Sequence, residues 1–378
     1  MKKSLDNFLV IFVLIMLFSS CDTDNGIDPS AGPAVKVYLA GTHKVGEKIP
    51  GGILEGACYW VNGEKINLTE TYDIIPFISE ATAIAVSGDS VYVTGKYVDY
   101  YANNACYWKN GVFIDLHPEG SNYSYAAAIA IEGNTCYIGG SYAEYPIPRH
   151  ACYWKEGETL SGPISLHDFE EKGEEHPSSH VEAITISDND VYVACHYNEL
   201  GISFNDSLGF WKEGDQPTPL ESIGEMDSET TGITVSGDTI YVSGTYQVGI
   251  AGDIFACYWI GDKRHDLETV VNVKSSKATA IAVSGNTVYI AGYYVLQNGI
   301  RHACYWVNEK FHNLSNRDTT SSANYITFHN GSVYAAGYFT VNDDAKTYAC
   351  YWKDGALYQT GIIEDCEKIN SGFLVFEE

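Results

Sequence analysis

The chain is built from short runs rich in β-branched and aromatic residues, separated by turn residues. Two strings show the pattern: Ala-x-Ala-Ile-x-Val-Ser-Gly at 81–88 and Val-Tyr-Val-x-Gly-x-Tyr at 91–97. Runs of this length with almost no internal proline are typical of strands. Gly88-Asp89, Asn62-Gly63 and Asp354-Gly355 fall between such runs and predict tight hairpins. The pattern therefore predicts an antiparallel, all-β chain.

A third string, Ala-Cys-Tyr-Trp, recurs along the whole chain. Its copies end at Trp60, Trp108, Trp154, Trp259, Trp306 and Trp352, and a degenerate copy, Leu-Gly-Phe-Trp, ends at Trp211. These are all seven tryptophans, and they are spaced by 48, 46, 57, 48, 47 and 46 residues. Each period holds the three strings and a fourth, weaker strand. Four antiparallel strands in such a period are typical of a propeller blade, so the sequence predicts a seven-bladed β-propeller.

The two ends of the chain predict how the ring closes. The first copy begins at Val37 as a second strand, and Phe373 to Phe376 fits a first strand, so the C-terminal strand is expected to join the N-terminal blade. The fourth copy predicts the register, because Cys195 stands where other copies have glycine and Gly209 where they have cysteine. We expect these two to face each other, and likewise three further pairs: Gly95 and Cys106, Gly244 and Cys257, and Gly292 and Cys304.

The first 33 residues have a different character. Lys2 and Lys3 precede an unbroken apolar run from Phe8 to Phe18, which has the length of a signal-peptide core and not of a membrane span. The following Ser19-Ser20-Cys21 resembles the lipobox of bacterial lipoproteins, with Phe18 where leucine is usual. The resemblance implies removal of residues 1–20, lipidation of Cys21 and attachment to the membrane through the lipid anchor only. An ordinary secretory signal is the alternative.

The acidic stretch after Cys21 resembles a surface-export tag of one group of Gram-negative bacteria, and the alternative is a plain flexible tether over 21–33. As a whole the chain resembles propeller lipoproteins of Gram-negative bacteria, with the propeller at 34–378 and no characterised family. The resemblance implies a location at the outer membrane or cell surface, and we expect a monomer. The net charge of −27 excludes a nucleic-acid partner, because such a surface repels phosphate backbones.

Ten cysteines raise the question of disulfides, and the repeat argues against them. Cys21 is one, and six more occupy equivalent positions in the tryptophan string. Equivalent sites on packed sheets lie about 10 Å apart or more, beyond the roughly 7 Å limit for a bridge. We therefore expect buried free thiols.

Residues that break the repeat are the candidates for function. The connections from second to third strand and from blade to blade are long, and both open on one end of the ring, the long-loop rim. Loops on a rigid scaffold are where binding tends to occur. The candidates there are Tyr72, Asp99, Tyr100, Tyr101, Tyr123 and Tyr145, with the basic pairs Arg149-His150 and Arg301-His302 as anion binders. The alternatives are ordinary exposed tyrosines and pairs repeated by common origin.

The longest insertion, between the third and fourth tryptophans, holds candidate metal ligands. These are His167, Asp168, His176 and His180, which suit a transition metal, or calcium through the acidic residues around them. The alternative is a solvated acidic loop, and no other cofactor is indicated.

No catalytic motif of the Gly-x-Ser-x-Gly or His-Glu-x-x-His type occurs. The Ala-x-Ala-Ile string places mostly alanine, isoleucine and valine on the inner strands, so titratable groups are expected only from loops. The sequence favours a non-catalytic surface protein that recognises a protein or glycan on the long-loop rim. The alternative is a polysaccharide hydrolase or lyase acting at the mouth of the central channel.

Overall fold

Seven four-stranded antiparallel sheets form a closed ring, which confirms the predicted seven-bladed β-propeller. The computed structural model describes residues 34–45, 55–69, 78–99, 102–144, 149–157, 159–166, 178–198, 207–221, 228–248, 252–315, 319–341 and 346–377. No helix occurs in these ranges, and so none of them offers a helix long and apolar enough to cross a membrane.

In each of the first three blades the strands follow one another from the axis outward. Blade 1 contains β28 (Cys366–Phe376), β1 (Val35–Lys44), β2 (Glu55–Val61) and β3 (Glu64–Asn67). Blade 2 contains β4 (Ser79–Ser87), β5 (Ser90–Asp99), β6 (Ala102–Lys109) and β7 (Val112–Asp115). Blade 3 contains β8 (Tyr123–Glu132), β9 (Thr135–Ala143), β10 (His150–Glu156) and β11 (Leu160–Ser165).

The remaining four blades follow the same order. Blade 4 contains β12 (Ser178–Ser187), β13 (Asp190–Asn198), β14 (Ser207–Lys212) and β15 (Thr218–Pro219). Blade 5 contains β16 (Glu229–Ser236), β17 (Thr239–Gln247), β18 (Ile254–Ile260) and β19 (Lys263–Asp266). Blade 6 contains β20 (Val273–Ser284), β21 (Thr287–Leu296), β22 (Arg301–Val307) and β23 (Lys310–Asn313). Blade 7 contains β24 (Thr319–His329), β25 (Ser332–Val341), β26 (Thr347–Lys353) and β27 (Ala356–Ile363).

The ring closes in blade 1, as the chain ends predict. The C-terminal β28 pairs with β1, so that Tyr38 lies opposite Phe373 and Leu39 opposite Gly372. This strand begins at Cys366, seven residues before the predicted start at Phe373. The closing blade packs on blade 7 through an apolar cluster that includes Trp60 and Tyr334. Closure therefore pairs the edge of β1 that would otherwise be left open.

The predicted register is confirmed in all four pairs. Cys195 lies opposite Gly209, and the other three pairs are Gly95 with Cys106, Gly244 with Cys257 and Gly292 with Cys304. The facing cysteine is only part of the reason for glycine. A Cβ on Gly95 would lie 2.1 Å from the carbonyl oxygen of Glu80 and 2.9 Å from Cζ3 of Trp108. The inner strand and the indole therefore leave no room for a side chain.

The seven tryptophans are all buried between blades. In three blades the indole N–H donates across the interface to a carbonyl oxygen that follows the outer strand of the preceding blade. Trp259 bonds Glu221 at 2.9 Å, Trp306 bonds Glu268 at 2.8 Å and Trp352 bonds Leu314 at 2.9 Å. The indole ring thus fills the space between neighbouring blades, which accounts for its recurrence once in every blade.

The cysteines of the described residues are free thiols, and all but Cys366 are buried. The repeat cysteines are fully buried, and this burial raises their pKa. They act as small apolar residues in the interfaces between blades. Cys21, the predicted lipidation site, and the predicted tether lie outside the described residues.

Every inner strand contains a bulge of one residue at the same position. In three blades the bulged side chain donates to the backbone carbonyl just before the bulge of the next blade. Thr82 Oγ1 bonds Ala126 at 2.7 Å, Thr279 Oγ1 bonds Ala323 at 2.6 Å, and Asn370 Nδ2 bonds Ala81 at 2.8 Å. We call the bulged residues the bulge ring, and they are Thr82, Ala127, Glu182, Thr231, Thr279, Asn324 and Asn370.

Candidate functional site

Polar side chains gather where the inner strands begin, at the long-loop rim. We call this region the mouth and define it by the inner-strand residue two before the bulge, its partner on the second strand, and the residues in contact with them. In blade order these pairs are Lys368 and Thr42, Glu80 and Lys96, Tyr125 and Ser141, His180 and His196, Glu229 and Thr245, Lys277 and Tyr293, and Ser322 and Tyr338.

The mouth corrects the expectation that inner strands supply no titratable groups. The described inner strands begin one or more residues before the Ala-x-Ala-Ile string, and these added positions differ from blade to blade. Their side chains include carboxylates, ammonium groups and an imidazole. The functional candidates therefore come from strands as well as loops.

Glu80 is the centre of an ionic cluster that joins blades 1 and 2. Its carboxylate lies 2.7 Å from Lys368 Nζ, 3.3 Å from Lys96 Nζ and 2.9 Å from Asn370 Nδ2. Burial disfavours the charged form, but the hydrogen bond and charge of Lys368, with Lys96 and Asn370, outweigh it and lower the pKa of Glu80. Glu80 is thus held as an ionised acceptor.

Two tyrosine rings of blade 3 carry cations over their faces. The guanidinium of Arg149 lies 4.4 Å from the ring centroid of Tyr123, and Lys96 Nζ lies 5.6 Å from that of Tyr125. Burial raises the pKa of Tyr123, which Arg149 opposes. Burial also raises the pKa of Tyr125, and the charges of Glu80 and Glu182 act in the same direction. Tyr125 therefore lies within electrostatic reach of both carboxylates.

Blade 4 contributes two histidines and a glutamate. His180 Nε2 lies 3.0 Å from Glu182 Oε1, and the rings of His180 and His196 stack with centroids 4.8 Å apart. The potential ligand atoms of these three side chains all lie within 4.8 Å of one another. Within the described ranges this is the one group of three such residues placed to hold a metal ion.

A second arginine–tyrosine pair lies at blades 6 and 7. The guanidinium of Arg301 is 4.2 Å from the ring centroid of Tyr293, and its Nη1 donates to the hydroxyl of Tyr338 at 3.2 Å. Nearby in the ring, Lys277 forms an ion pair with Glu229 at 2.6 Å. Neither Arg149 nor Arg301 is in an ion pair with a carboxylate of the described residues.

Some of the residues singled out in the sequence meet at the mouth. Tyr123, Arg149, Arg301 and His180 lie there, and Asp99 ends β5 at the same rim. The remaining candidates lie outside the described residues, and they are Tyr72, Tyr100, Tyr101, Tyr145, His167, Asp168 and His176.

The histidines of the two basic pairs, His150 and His302, pack against tyrosine rings. His302 is only 3% exposed and stacks on Tyr294 at 5.2 Å, and burial lowers the pKa of its imidazole. His150 packs with the ring of Tyr142 at 5.7 Å. Alternation along a strand explains the difference, because neighbouring residues point to opposite faces of the sheet.

Several residues of the mouth were not predicted, and they include Glu80, Lys96, Glu182, His196 and Lys368. Each stands at a position that varies between repeats, next to positions that do not. An alignment of the seven repeats by their strings would have shown histidine at 180 and 196, and a carboxylate at 182, in the fourth copy only.

Several solved structures are similar to the chain. No family model matches the chain, and no curated protein matches it. Among solved structures it is similar to Trypanosoma rangeli sialidase in complex with sialic acid, with 9% identity over 82% of this chain and 56% of that one, and a TM-score of 0.46. The chain thus spans little more than half of that sialidase.

Two further similar structures are glycoside hydrolases. A thermostable family-43 glycoside hydrolase has 12% identity over 64% of this chain and 94% of that one, with a TM-score of 0.37. An exo-1,5-alpha-L-arabinanase from a bovine ruminal metagenomic library has 7% identity over 61% of this chain and 96% of that one, with a TM-score of 0.32.

Proposed function

We propose that the protein binds a glycan carrying carboxylate groups at the mouth, and that it does so at the cell surface. The observation that carries this is the pair of arginines, Arg149 and Arg301. Each lies over a tyrosine ring without a carboxylate partner among the described residues. The net charge of −27 repels anions at long range, so an anionic ligand has to be held by local cations, and these two guanidinium groups supply them.

The chemistry of these pairs fits an acidic sugar. A guanidinium presents parallel N–H donors that match both oxygens of a carboxylate. A tyrosine ring beside it offers an apolar face to the C–H face of a pyranose and a hydroxyl to its oxygens. Arg149 is exposed, and Tyr123 and Tyr293 are partly exposed. Both groups are therefore accessible from the long-loop rim.

The scaffold fixes these groups before the ligand arrives. Tyr123 and Tyr293 belong to strands β8 and β21, while Arg301 is the first residue of β22. The backbone carbonyl of Arg149 accepts a hydrogen bond at 2.8 Å from Ser179 of the next blade. Little conformational freedom is lost on binding when side chains are held in this way, which favours affinity.

The surface location rests on the resemblance of residues 18–21 to a lipobox. Metabolic labelling with a palmitate analogue tests it, because Cys21→Ser should abolish incorporation and release the protein from the membrane fraction. Protease treatment of intact cells then distinguishes an outward-facing anchor from a periplasmic one. Labelling that survives Cys21→Ser would refute the anchor.

A glycan array tests the ligand, with acidic and neutral oligosaccharides compared on the purified full-length protein. Arg149→Ala and Arg301→Ala should each lower affinity for acidic glycans by roughly 10- to 100-fold, since a charge-assisted hydrogen bond contributes about 1.5–3 kcal/mol. Arg264→Ala is the matched control, because Arg264 also lies over a tyrosine, Tyr246 at 4.1 Å, but is paired with Asp266. Equal binding of neutral glycans, or unchanged affinity in both mouth variants, would refute the proposal.

Hydrolysis of the bound polysaccharide is a second candidate, favoured by one observation. Glu80 of blade 2 and Glu182 of blade 4 both lie at the mouth, and glycosidases use a pair of carboxylates. Incubation with the glycan selected on the array decides, by assay of new reducing ends. Products formed by the native protein and lost in Glu182→Gln would make it a hydrolase, whereas binding without products leaves the binding function.

A further inference from the structure

The fourth blade departs from the repeat at three positions that touch one another. Two before the bulge, the other blades have Lys368, Glu80, Tyr125, Glu229, Lys277 and Ser322, and blade 4 has His180. On the facing strand the others have Thr42, Lys96, Ser141, Thr245, Tyr293 and Tyr338, and blade 4 has His196. Two histidines opposite each other therefore occur in this blade alone.

The third departure lies in the bulge ring. The other six positions hold threonine, asparagine or alanine, and three of these side chains donate to a carbonyl of the next blade. Glu182 is the one titratable residue of the ring, and an ionised carboxylate cannot donate to a carbonyl. Blade 4 has therefore replaced a structural donor by an acceptor, directly beside two imidazoles.

We propose that His180, Glu182 and His196 bind a divalent transition metal of the zinc type. Two imidazole nitrogens and one carboxylate oxygen are the three protein ligands of many zinc sites that keep a fourth position open for water or substrate. Calcium and magnesium prefer oxygen ligands, so the two histidines select against them. This assigns His180 to a different site from the insertion-loop site that His167, Asp168 and His176 suggested in the sequence.

The distances allow such a site after small side-chain movements. Zinc bonds of about 2.0–2.1 Å at tetrahedral angles place neighbouring ligand atoms about 3.4 Å apart. His180 Nε2 and Glu182 Oε1 are already 3.0 Å apart, and no pair of ligand atoms in the trio is separated by more than 4.8 Å. Side-chain rotations that close about 1.4 Å or less would bring every pair of ligand atoms to that spacing. All three ligands lie on β12 and β13, which are paired strands of one sheet.

The trio lies at the mouth and is open to solvent. The side chains of His180 and Glu182 are 29% and 35% exposed, so solvent reaches the trio. Arg149 lies over the ring of Tyr123, and its backbone carbonyl accepts a hydrogen bond from Ser179, the residue before His180. A metal ion there adds a second positive group that can take an oxygen of an anionic ligand. The site itself does not depend on the glycan, because zinc alone tests it.

The purified full-length protein is prepared without a histidine tag. Its zinc affinity is measured by competition with a chromophoric zinc indicator. The variants restore residues that other blades carry, so that each is compatible with the fold: Glu182→Thr as in blade 2, and His196→Thr as in blade 5. We expect one zinc per chain in the native protein and at least a tenfold weaker affinity in either variant. Circular dichroism and thermal unfolding confirm that the variants are folded.

Two control variants remove a carboxylate or an imidazole outside the trio of His180, Glu182 and His196. Glu229→Gln removes another carboxylate of the mouth, and His312→Ala removes an imidazole that stacks on Tyr305 at 4.6 Å. Both should leave zinc affinity unchanged. Replacement by Co²⁺ gives a second readout, because a four-coordinate site with nitrogen ligands produces intense visible absorption that a six-coordinate aqueous ion lacks.

The outcomes separate this proposal from glycan binding. Stoichiometric zinc that is lost in Glu182→Thr and His196→Thr supports the site, whatever the glycan array shows. Zinc affinity that is the same in these variants and in the controls would overturn it and leave the trio as a His–Glu ion pair. Glycan binding that survives removal of zinc would show that the arginines act without the metal.

Discussion

Glycine at position 95 is predicted to be indispensable to the geometry of the mouth, and Gly95→Ala tests this. A Cβ there would lie 2.1 Å from the carbonyl oxygen of Glu80, about 0.9 Å inside the 3.0 Å that real Cβ contacts respect. It would also lie 2.9 Å from the Trp108 indole. Neither neighbour can yield cheaply, because one is backbone and the other is a buried ring. The inner strand would have to move away from β5.

The magnitude follows from the packing. Overpacking of this kind destabilises by about 1–3 kcal/mol, and the severe overlap places it at the upper end. Alanine also restricts the unfolded chain, which returns about 0.4–1 kcal/mol, so a net loss of about 2 kcal/mol is expected. At about 2.1 cal/mol/K per residue, unfolding of residues 34–377 has an entropy of roughly 0.7 kcal/mol/K. The melting temperature should therefore fall by about 3 °C in calorimetry.

Gly157→Ala is the matched control for this experiment. The nearest atom to its Cβ is Thr135 Oγ1 at 3.8 Å, an ordinary contact, and its backbone is not left-handed. This variant should melt within about 1 °C of the native protein. If Gly95→Ala were as stable as Gly157→Ala, the close approach of Glu80 and β5 would be wrong. The ion pair of Glu80 with Lys96, at 3.3 Å, would then have no fixed position.

Three other consequences are open to measurement. Glu80→Gln should lower the free energy of unfolding at pH 7. The folded pKa of Glu80 lies below its usual 4.5, so its carboxylate stabilises the fold above that pH, and this contribution is lost as the pH falls through the folded pKa. The stability difference between variant and native protein should therefore vanish on acidification, and a difference that stays constant from pH 7 to 3 would contradict this. Thr279→Val should cost about 1–3 kcal/mol in urea unfolding, since it leaves the buried carbonyl of Ala323 without its donor, whereas an unchanged midpoint would mean that the bond contributes nothing. Burial raises the pKa of Cys366 to about 12, so at pH 8 the native protein should resist alkylation there and at the buried cysteines, and should react after denaturation. Mass spectrometry of the intact protein counts the alkyl groups added. Rapid labelling of the native protein at the buried cysteines would refute their burial.

The fold could be predicted from the sequence because its determinants recur. The blade count follows from the seven tryptophans, each of which is buried between two blades. The strand register follows from the fourth copy, where cysteine and glycine have exchanged places at Cys195 and Gly209. Each feature is a local packing requirement repeated often enough to stand out in one sequence.

The mouth could be predicted only in part. Arg149 and Tyr123 break the repeat visibly, but Glu80 and Lys368 are 288 residues apart in the chain and meet only because the ring closes. Their contact depends on closure of the ring, and both residues stand at a position that differs from blade to blade. His196 sits within a recurring strand string, where regularity suggests a structural role, and only its pairing with His180 indicates otherwise.

Blade 4 carries a conflict between stability and function that Glu182→Thr makes measurable. Threonine at the equivalent positions, Thr82 and Thr279, donates to the carbonyl before the next bulge, at 2.7 and 2.6 Å. In blade 5 that carbonyl belongs to Thr230, and an ionised Glu182 cannot donate a hydrogen bond to it. Threonine at 182 should therefore add one hydrogen bond, about 0.5–1.5 kcal/mol, and raise the melting temperature by about 1–2 °C. A residue retained only for structure would give the opposite sign on replacement. A gain in stability together with loss of zinc would show that Glu182 is kept for its ligand, as is common where a site departs from the residue best suited to the fold.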